Sequence, residues 1–441
     1  MEQAQSLIRI PSDIGTEEAK RGFSHMASSM SGSSILSIGQ EIREMLDRNE
    51  EVANLTVGDF SPKQFPIPDL LRQYLIDAIN DGHTNYPPSA GIPDLRAAVK
   101  ESFMRNHNLD YPIDGIAIVS GGRPSLYSAY KLLVDPGELV LFPVPSWNNH
   151  NYGDTCQIRV RGIQTLRKDS FQPTVDLLKP HVRDARMIVL NSPQNPSGGV
   201  MPEKDLREFG EFIVEENERR QAAGEKPLYL LFDQIYSLLV FDDHKHFSPV
   251  QLVPECAPYV IHCDGISKSF AATGLRCGWF VGPPAITRKL VALGTHIGTW
   301  APLPVQVATA KWLRNLPAIS EWQSDMIGRV RERLDCLHDG IQKLREHGFA
   351  CDSIEPQGAI YISVQFLLYG KKTPSGMVLK NNEDVRSYLL QSAGFGVVPF
   401  AAFGVEQDDE NGWFRASVGA VSVADLEQCL PRLEAALTAL S

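Results

Sequence analysis

The chain has 441 residues, 43% hydrophobic and 22% charged, a length that suits one large α/β unit with a smaller companion and a balance ordinary for a soluble globular protein. No apolar run approaches the length of a bilayer span, which argues against a helical membrane protein. The formal net charge of −11 comes without any basic stripe, so a nucleic-acid footprint is missing and small-molecule chemistry is favoured.

The opening stretch "MEQAQSLIRIPSDIGTEEAK" mixes acids and bases around no apolar centre, so it does not read as a secretory signal, and cytoplasmic residence is expected. Leu71, Leu75 and Ile79 recur at four-residue intervals, and Leu95, Val99 and Phe103 repeat that spacing, which predicts two helices. Between about residues 115 and 282 come the apolar runs "GIAIVS", "ELVLFP", "RMIVLN", "LYLLFD", "YVIHCD" and "GWFVG". They are continuous rather than alternating, as in strands buried on both faces of a mainly parallel sheet, and the helical signals between them indicate βαβ units. Beyond about residue 320 a long charged helix, "SDMIGRVRERLDCLHDGIQKLREHG", precedes "AIYISV" and a closing helix from about Ala424. The expected division is therefore 1–75, an N-terminal segment shared with the small domain; 76–318, the large domain; and 319–441, the C-terminal small domain. The charged clusters "EENERRQAAGEK" and "EQDDEN" are expected to be solvated helix ends and loops. Seven cysteines without a Cys-x-x-Cys pair are expected to be reduced, mostly buried thiols, with no metal site.

Several polar residues fall just past the C-terminal ends of the predicted strands, where open parallel sheets place their ligands. "GIAIV" opens into "SGGRPS", where two glycines let backbone N–H groups approach an anion and Pro124 suits a first helical position. "RMIVL" leads to Asn195, and "LYLLF" to Asp233 with Tyr236 three residues on. A carboxylate leaving a buried strand needs a partner, because an isolated buried charge is costly. "YVIHC" leads to Lys268, which partial desolvation would make a better nucleophile for Schiff bases, and then to Arg276, whose fork suits phosphate. Taken singly, the glycines also suit an ordinary turn, Asp233 a helix N-cap and Lys268 a surface position. The argument rests on the set.

With "LTVGDF", "NYPPSAGIPDLR", "PSWNNH", "NSPQNPSG", "FDQIY", "SKSFAATGLRCGW" and "WFRASVG" in this order, the chain resembles the fold-type I pyridoxal-phosphate enzymes, specifically the class I/II aminotransferases, over nearly its whole length. The resemblance implies a large domain with a mainly parallel seven-stranded sheet between helices and a smaller α+β domain. It implies pyridoxal 5'-phosphate held at Lys268, with Asp233 on the pyridine nitrogen, and Tyr236 and Asn195 on the ring's phenolic oxygen. It further implies Trp147 stacked on the ring, His150 behind Asp233, and Gly122, Arg123, Ser267 and Arg276 around the phosphate. Arg415 and Gly58 match the positions that meet the substrate α-carboxylate. Tyr86 matches a tyrosine that reaches the neighbouring subunit's phosphate, which implies a homodimer with shared sites. One departure is Gly265, where many members have a serine.

The same resemblance implies amino-acid and 2-oxo-acid substrates exchanged by a ping-pong mechanism. In a bacterial group of aspartate aminotransferases, a basic residue after the glycine pair and a serine near the N-terminal lid contact the distal carboxylate; here these match Arg123 and Ser33, so an aspartate-like donor is expected. Arg123 could equally add charge beside the phosphate. C–S or ring-forming elimination and aromatic transamination share the frame and stay open. A non-catalytic cofactor-binding regulator would carry a DNA-binding module, and the roughly 30 residues before "SSILSIGQEI" are too few for one.

Overall fold

Every one of the six continuous apolar runs is a strand in the computed structural model, which describes residues 9–30, 32, 34–242 and 244–441. With one further strand they build a sheet of β1 (Ile116–Val119), β2 (Leu139–Val144), β3 (Arg159–Gln164), β4 (Ala185–Asn191), β5 (Tyr229–Asp233), β6 (Val260–Gly265) and β7 (Gly278–Val281). Its order is β1-β7-β6-β5-β4-β2-β3, and only β7 runs antiparallel to its neighbours. Alternate residues of the buried strands feed different cores. Ile116, Ile118, Ile188, Leu190, Leu230 and Phe232 pack into one, while Ala117, Val119, Met187, Val189 and Leu231 pack into another on the opposite face. That two-sided burial is why these strands read as unbroken apolar runs.

The strand that sequence patterning missed, β3, is an edge strand. Three of its six residues, Arg159, Arg161 and Gly162, are exposed, which hides it from a search for apolar runs.

Helices α1 (Asp69–Asn80) and α2 (Pro93–His107) cover the sheet, with α5 (Leu303–Arg314) against both. Leu95, Val99 and Phe103 are all buried, whereas Leu71 is buried and Ile79 is half exposed. Four-residue steps drift about 40° each around a helix of 3.6 residues per turn, so a peripheral helix carries its third residue off the core. Helix α3 (Gly122–Leu133) starts at Gly122, making Pro124 its third residue. The absent N–H there still belongs to the first turn, where no intrahelical acceptor exists. Helix α4 (Glu203–Ala223) follows β4 in the chain.

The C-terminal part begins with α6 (Leu316–Glu346), longer at its N-terminus than the charge pattern suggested. Its Val330, Leu334, Leu337 and Ile341 face a core shared with α7 (Val423–Thr438). Strands β8 (Cys351–Ser353), β9 (Tyr361–Phe366), β10 (Val398–Pro399) and β11 (Trp413–Ser417) form an antiparallel sheet in the order β10-β11-β9-β8. Residues 53–54 of the N-terminal segment pair with 395–396, which ties that segment to this part.

Both charged clusters are mostly exposed, as expected, with a few buried exceptions. In the first, Arg220 is buried, donates from Nε to Glu216 at 2.7 Å and from Nη2 to Val182 O at 2.9 Å, while Asn217 bonds both backbone groups of Leu228. The Asn217 bonds fasten α4 to the start of β5, and the Arg220–Val182 bond fastens it to the segment before β4. In the second, buried Glu410 accepts from the Ala401 N–H at 2.8 Å, and burial raises its pKa. All seven cysteines are free thiols, six of them buried. Among the described residues no helix is long and apolar enough to cross a membrane.

Candidate active site

The C-terminal ends of β1, β2, β4, β5 and β6 open on one edge of the large sheet, and the reversed β7 begins there. A cavity of about 430 Å³ lies at that edge, lined by residues from all six strands' connections and from the N-terminal segment. This volume is in the usual range for small-molecule sites. Gly122, Arg123, Trp147, Asn195, Asp233, Tyr236, Ser267, Lys268, Arg276 and Gly58 all line it. Because β7 runs backwards, Arg276, which precedes it, arrives at the same edge as groups that follow parallel strands.

The Lys268 side chain is 13% exposed. Its Nζ donates to the Gly58 carbonyl at 2.6 Å and lies 3.8 Å from Asp59 Oδ1. Burial lowers its pKa to about 8; Asp59 opposes the shift, and the Arg415, Arg276 and Arg123 charges add to it. Asp233 ends β5 with one carboxylate oxygen accepting from the Ile235 N–H at 3.1 Å. Among the described residues it has no ion-pair partner, and burial raises its pKa to about 6. Asn191 braces this floor, donating to the Asp233 carbonyl at 2.9 Å and accepting from the Asn195 N–H at 2.8 Å.

The opposite wall is an anion cradle. Gly121, at φ 81° and ψ 175°, turns the chain into α3. Arg276 lies against it, donating to Ser120 O and Thr273 O at 2.9 Å each. A Cβ on Gly121 would stand 2.5 Å from Arg276 Nη2, so the guanidinium reaches the helix N-terminus only because residue 121 has no side chain. At Gly265 a Cβ would meet Gly278 Cα at 2.7 Å and Cys277 O at 2.8 Å. Across the β6/β7 pair this chain has no room for the serine common at that position.

Arg415, on β11, is 1% exposed and stands one layer behind Gly58 and Asn195. It donates to Asn195 Oδ1 at 3.2 Å and to Thr56 O at 2.6 Å, and burial lowers its pKa. Arg123 is exposed, its guanidinium 4.7 Å from the Trp147 ring centroid.

Two expected residues, Tyr86 and His150, are not among those lining the cavity. Tyr86 is 81% exposed and meets Trp300 edge-on at 5.7 Å. His150 has a buried, unpartnered Nδ1 and no hydrogen bond to Asp233. Ser33 falls outside the described residues. Conversely, the sequence reading passed over Asp59, Asn191, Thr273 and Tyr361. Asp59, Asn191 and Thr273 lie within the motifs "LTVGDF", "NSPQNPSG" and "SKSFAATGLRCGW", and Tyr361 within "AIYISV", which reads as a core strand.

The sequence model of the family described as "Aminotransferase class I and II" matches residues 50–433. The chain belongs to that family. Among curated relatives of this aminotransferase, the aspartate aminotransferase of Rhizobium meliloti (strain 1021) is 30% identical over 419 residues, covering 94% of this chain and 96% of the relative. A probable aspartate/prephenate aminotransferase of Rickettsia felis is 27% identical over 418 residues, with 94% and 96% covered. Among solved structures, the aspartate aminotransferase from Rhizobium meliloti superposes with a TM-score of 0.85 at 28% identity, over 95% of this chain and 99% of that one. The Thermus thermophilus aspartate aminotransferase with maleate gives 0.82 at 26% identity, over 95% and 100%. The fold is therefore that of the fold-type I aminotransferases, and the family implies pyridoxal phosphate as cofactor.

Proposed function

We propose that this aminotransferase binds pyridoxal 5'-phosphate in the cavity at Lys268 and moves an amino group from an aspartate-like L-amino acid to a 2-oxo acid by a ping-pong mechanism. The observation that carries the reading is the convergence of Lys268, Asp233 and Arg276 in one cavity. The residues present fit the group. The Gly121 cradle suits a phosphate, and the lone, half-buried carboxylate of Asp233 suits a cationic ring nitrogen, whose charge would bring its pKa back down.

In this reading Lys268 holds the cofactor, Asp233 pairs with the ring nitrogen, and Tyr236 and Asn195 bond the phenolic oxygen. Trp147 would stack on the ring, and the backbone at Gly122 and Arg123, with Ser267 and Arg276, would hold the phosphate. What bound pyridoxal phosphate supplies is an electron sink for the pair released from the broken Cα–H bond. Asp233, as an anion, keeps a proton on the nitrogen opposite it. Lys268 Nζ, with a pKa near 8 as the free amine, would serve as the base that takes the proton from the substrate Cα. Arg415 and the backbone at Gly58 orient the α-carboxylate, so the reacting bond presents one face to Lys268.

The dicarboxylic donor is supported by the names of the relatives and by Arg123, an exposed cation at the cavity's mouth; the second contact expected from Ser33 rests on sequence alone. A homodimer is supported by exposed Tyr86 and by a hollow of about 850 Å³ that shares Arg123 and Arg276 with the cavity and that a residue from a second subunit could enter. Cytoplasmic location remains part of the same proposal.

The test is a panel of aspartate, glutamate, aromatic amino acids and alanine added to the cofactor-loaded protein, read by loss of the visible band as the amine form appears. Fastest conversion with aspartate supports the reading. Release of pyruvate and ammonia without that conversion would replace it with a lyase, and a preference for aromatic donors would remove the distal-carboxylate role from Arg123.

A further inference from the structure

Tyr361 opens β9 with no solvent exposure, yet its two ends meet two different parts of the site. Its hydroxyl lies 2.6 Å from the Tyr236 hydroxyl, with the rings edge-on at 5.6 Å. Burial raises both phenol pKa values, with the Arg415 charge opposing, so both oxygens keep their protons near neutrality. Two protons are then shared among few acceptors. The other acceptor near Tyr361 is the Gly58 carbonyl at 3.5 Å, which is too long for a strong bond and already takes the Lys268 amine at 2.6 Å. Either hydroxyl can be the donor in this pair, and the arrangement that uses the short contact best sends the Tyr361 proton to the Tyr236 oxygen. That leaves the Tyr236 O–H to point into the cavity, which Tyr236 lines and Tyr361 does not.

The ring does something separate. The Arg415 guanidinium carbon sits 4.9 Å from the Tyr361 ring centroid and 4.8 Å from that of Phe403, held between two aromatic faces. Its Nε has no hydrogen-bond partner among the described residues, so the plane of the fork is set by these rings together with Asn195 and Thr56 O.

We infer that Tyr361 is a positioning residue with two separable roles, its hydroxyl polarising Tyr236 as a donor into the cavity and its ring fixing the plane of Arg415. This deepens the proposed function and rests on it. A hydrogen bond received by Tyr236 strengthens the one it gives, through mutual polarisation.

Two variants separate the roles. Tyr361→Phe keeps the ring and removes the hydroxyl; Tyr361→Leu removes both. Each is loaded with pyridoxal phosphate, its visible band is titrated with pH, and its affinity for succinate, a dicarboxylate without an amine, is measured by calorimetry. A weaker Tyr236 donor stabilises the less protonated chromophore less, so both variants should titrate about half to one pH unit above the wild type. Succinate affinity should stay within about twofold in Tyr361→Phe and fall about three- to thirtyfold in Tyr361→Leu. An unmoved midpoint in Tyr361→Phe overturns the hydroxyl role, and equal succinate affinities in the two variants overturn the ring role. A purely structural residue would lower the thermal midpoint and leave both readouts in place. If the wild type itself gains no band with pyridoxal phosphate, the reading of the whole site fails; a normal wild type beside silent variants sinks only this inference.

Discussion

Gly121→Ala tests the anion cradle at its most constrained point. The backbone at φ 81° and ψ 175° lies in a region used almost only by glycine, so alanine there costs about 1–3 kcal/mol of fold stability. The new Cβ would also stand 2.5 Å from Arg276 Nη2 and 2.9 Å from its Cζ, closer than real contacts allow. The guanidinium is the movable partner, and in moving it gives up its bonds to Ser120 O and Thr273 O. A phosphate would then lose a charge-assisted contact of about 1.5–3 kcal/mol, a loss of about ten- to 150-fold in affinity. Cofactor-free protein titrated with pyridoxal phosphate, and separately with pyridoxal, measures this directly. The variant should weaken the first and leave the second nearly unchanged, and adding Arg276→Ala should cost little more, because both changes remove one contact. Binding of pyridoxal phosphate within about twofold of the wild type, in a variant whose melting confirms the backbone strain, would refute the cradle.

Lys268→Ala should retain pyridoxal phosphate noncovalently and fail to sustain transamination; steady turnover near the wild-type rate would remove Lys268 from its role. Because burial and three nearby guanidinium groups bring Lys268 to about 8, its neutral, nucleophilic fraction grows as pH rises through 8. Covalent capture of the cofactor by cofactor-free protein should therefore accelerate with a midpoint near pH 8, and a midpoint near the ordinary lysine value of 10.5 would show that the amine is solvated. Arg415→Lys keeps the charge but loses the fork, and should weaken carboxylate substrates by about 1.5–3 kcal/mol in kcat/KM. Unchanged kinetics would place the carboxylate elsewhere.

What the sequence disclosed and what it hid follow from burial. The strands β1, β2, β4, β5, β6 and β7 are covered on both faces, so their composition alone announced them, and the residues after the parallel ones could be placed at one edge of a sheet from sequence; the reversal of β7 was not legible. Edge strand β3 carries Arg159 and Arg161 toward solvent and gave no such signal. Charge content misled at Glu216, Arg220 and Glu410, because a salt bridge or a backbone N–H can satisfy a buried ion, and sequence shows the ions without their partners. The same blindness applied to the cavity. Lys268 stood out as one of a set of polar residues past the ends of buried strands, whereas Tyr361 sits in an apolar strand where a tyrosine is unremarkable. Its meeting with Tyr236, 125 positions away, depends on how the antiparallel sheet packs against the edge of the parallel one. Residues that announce themselves by their place past buried strands thus delimit the chemistry, while those that orient them look like core until the two sheets are brought together.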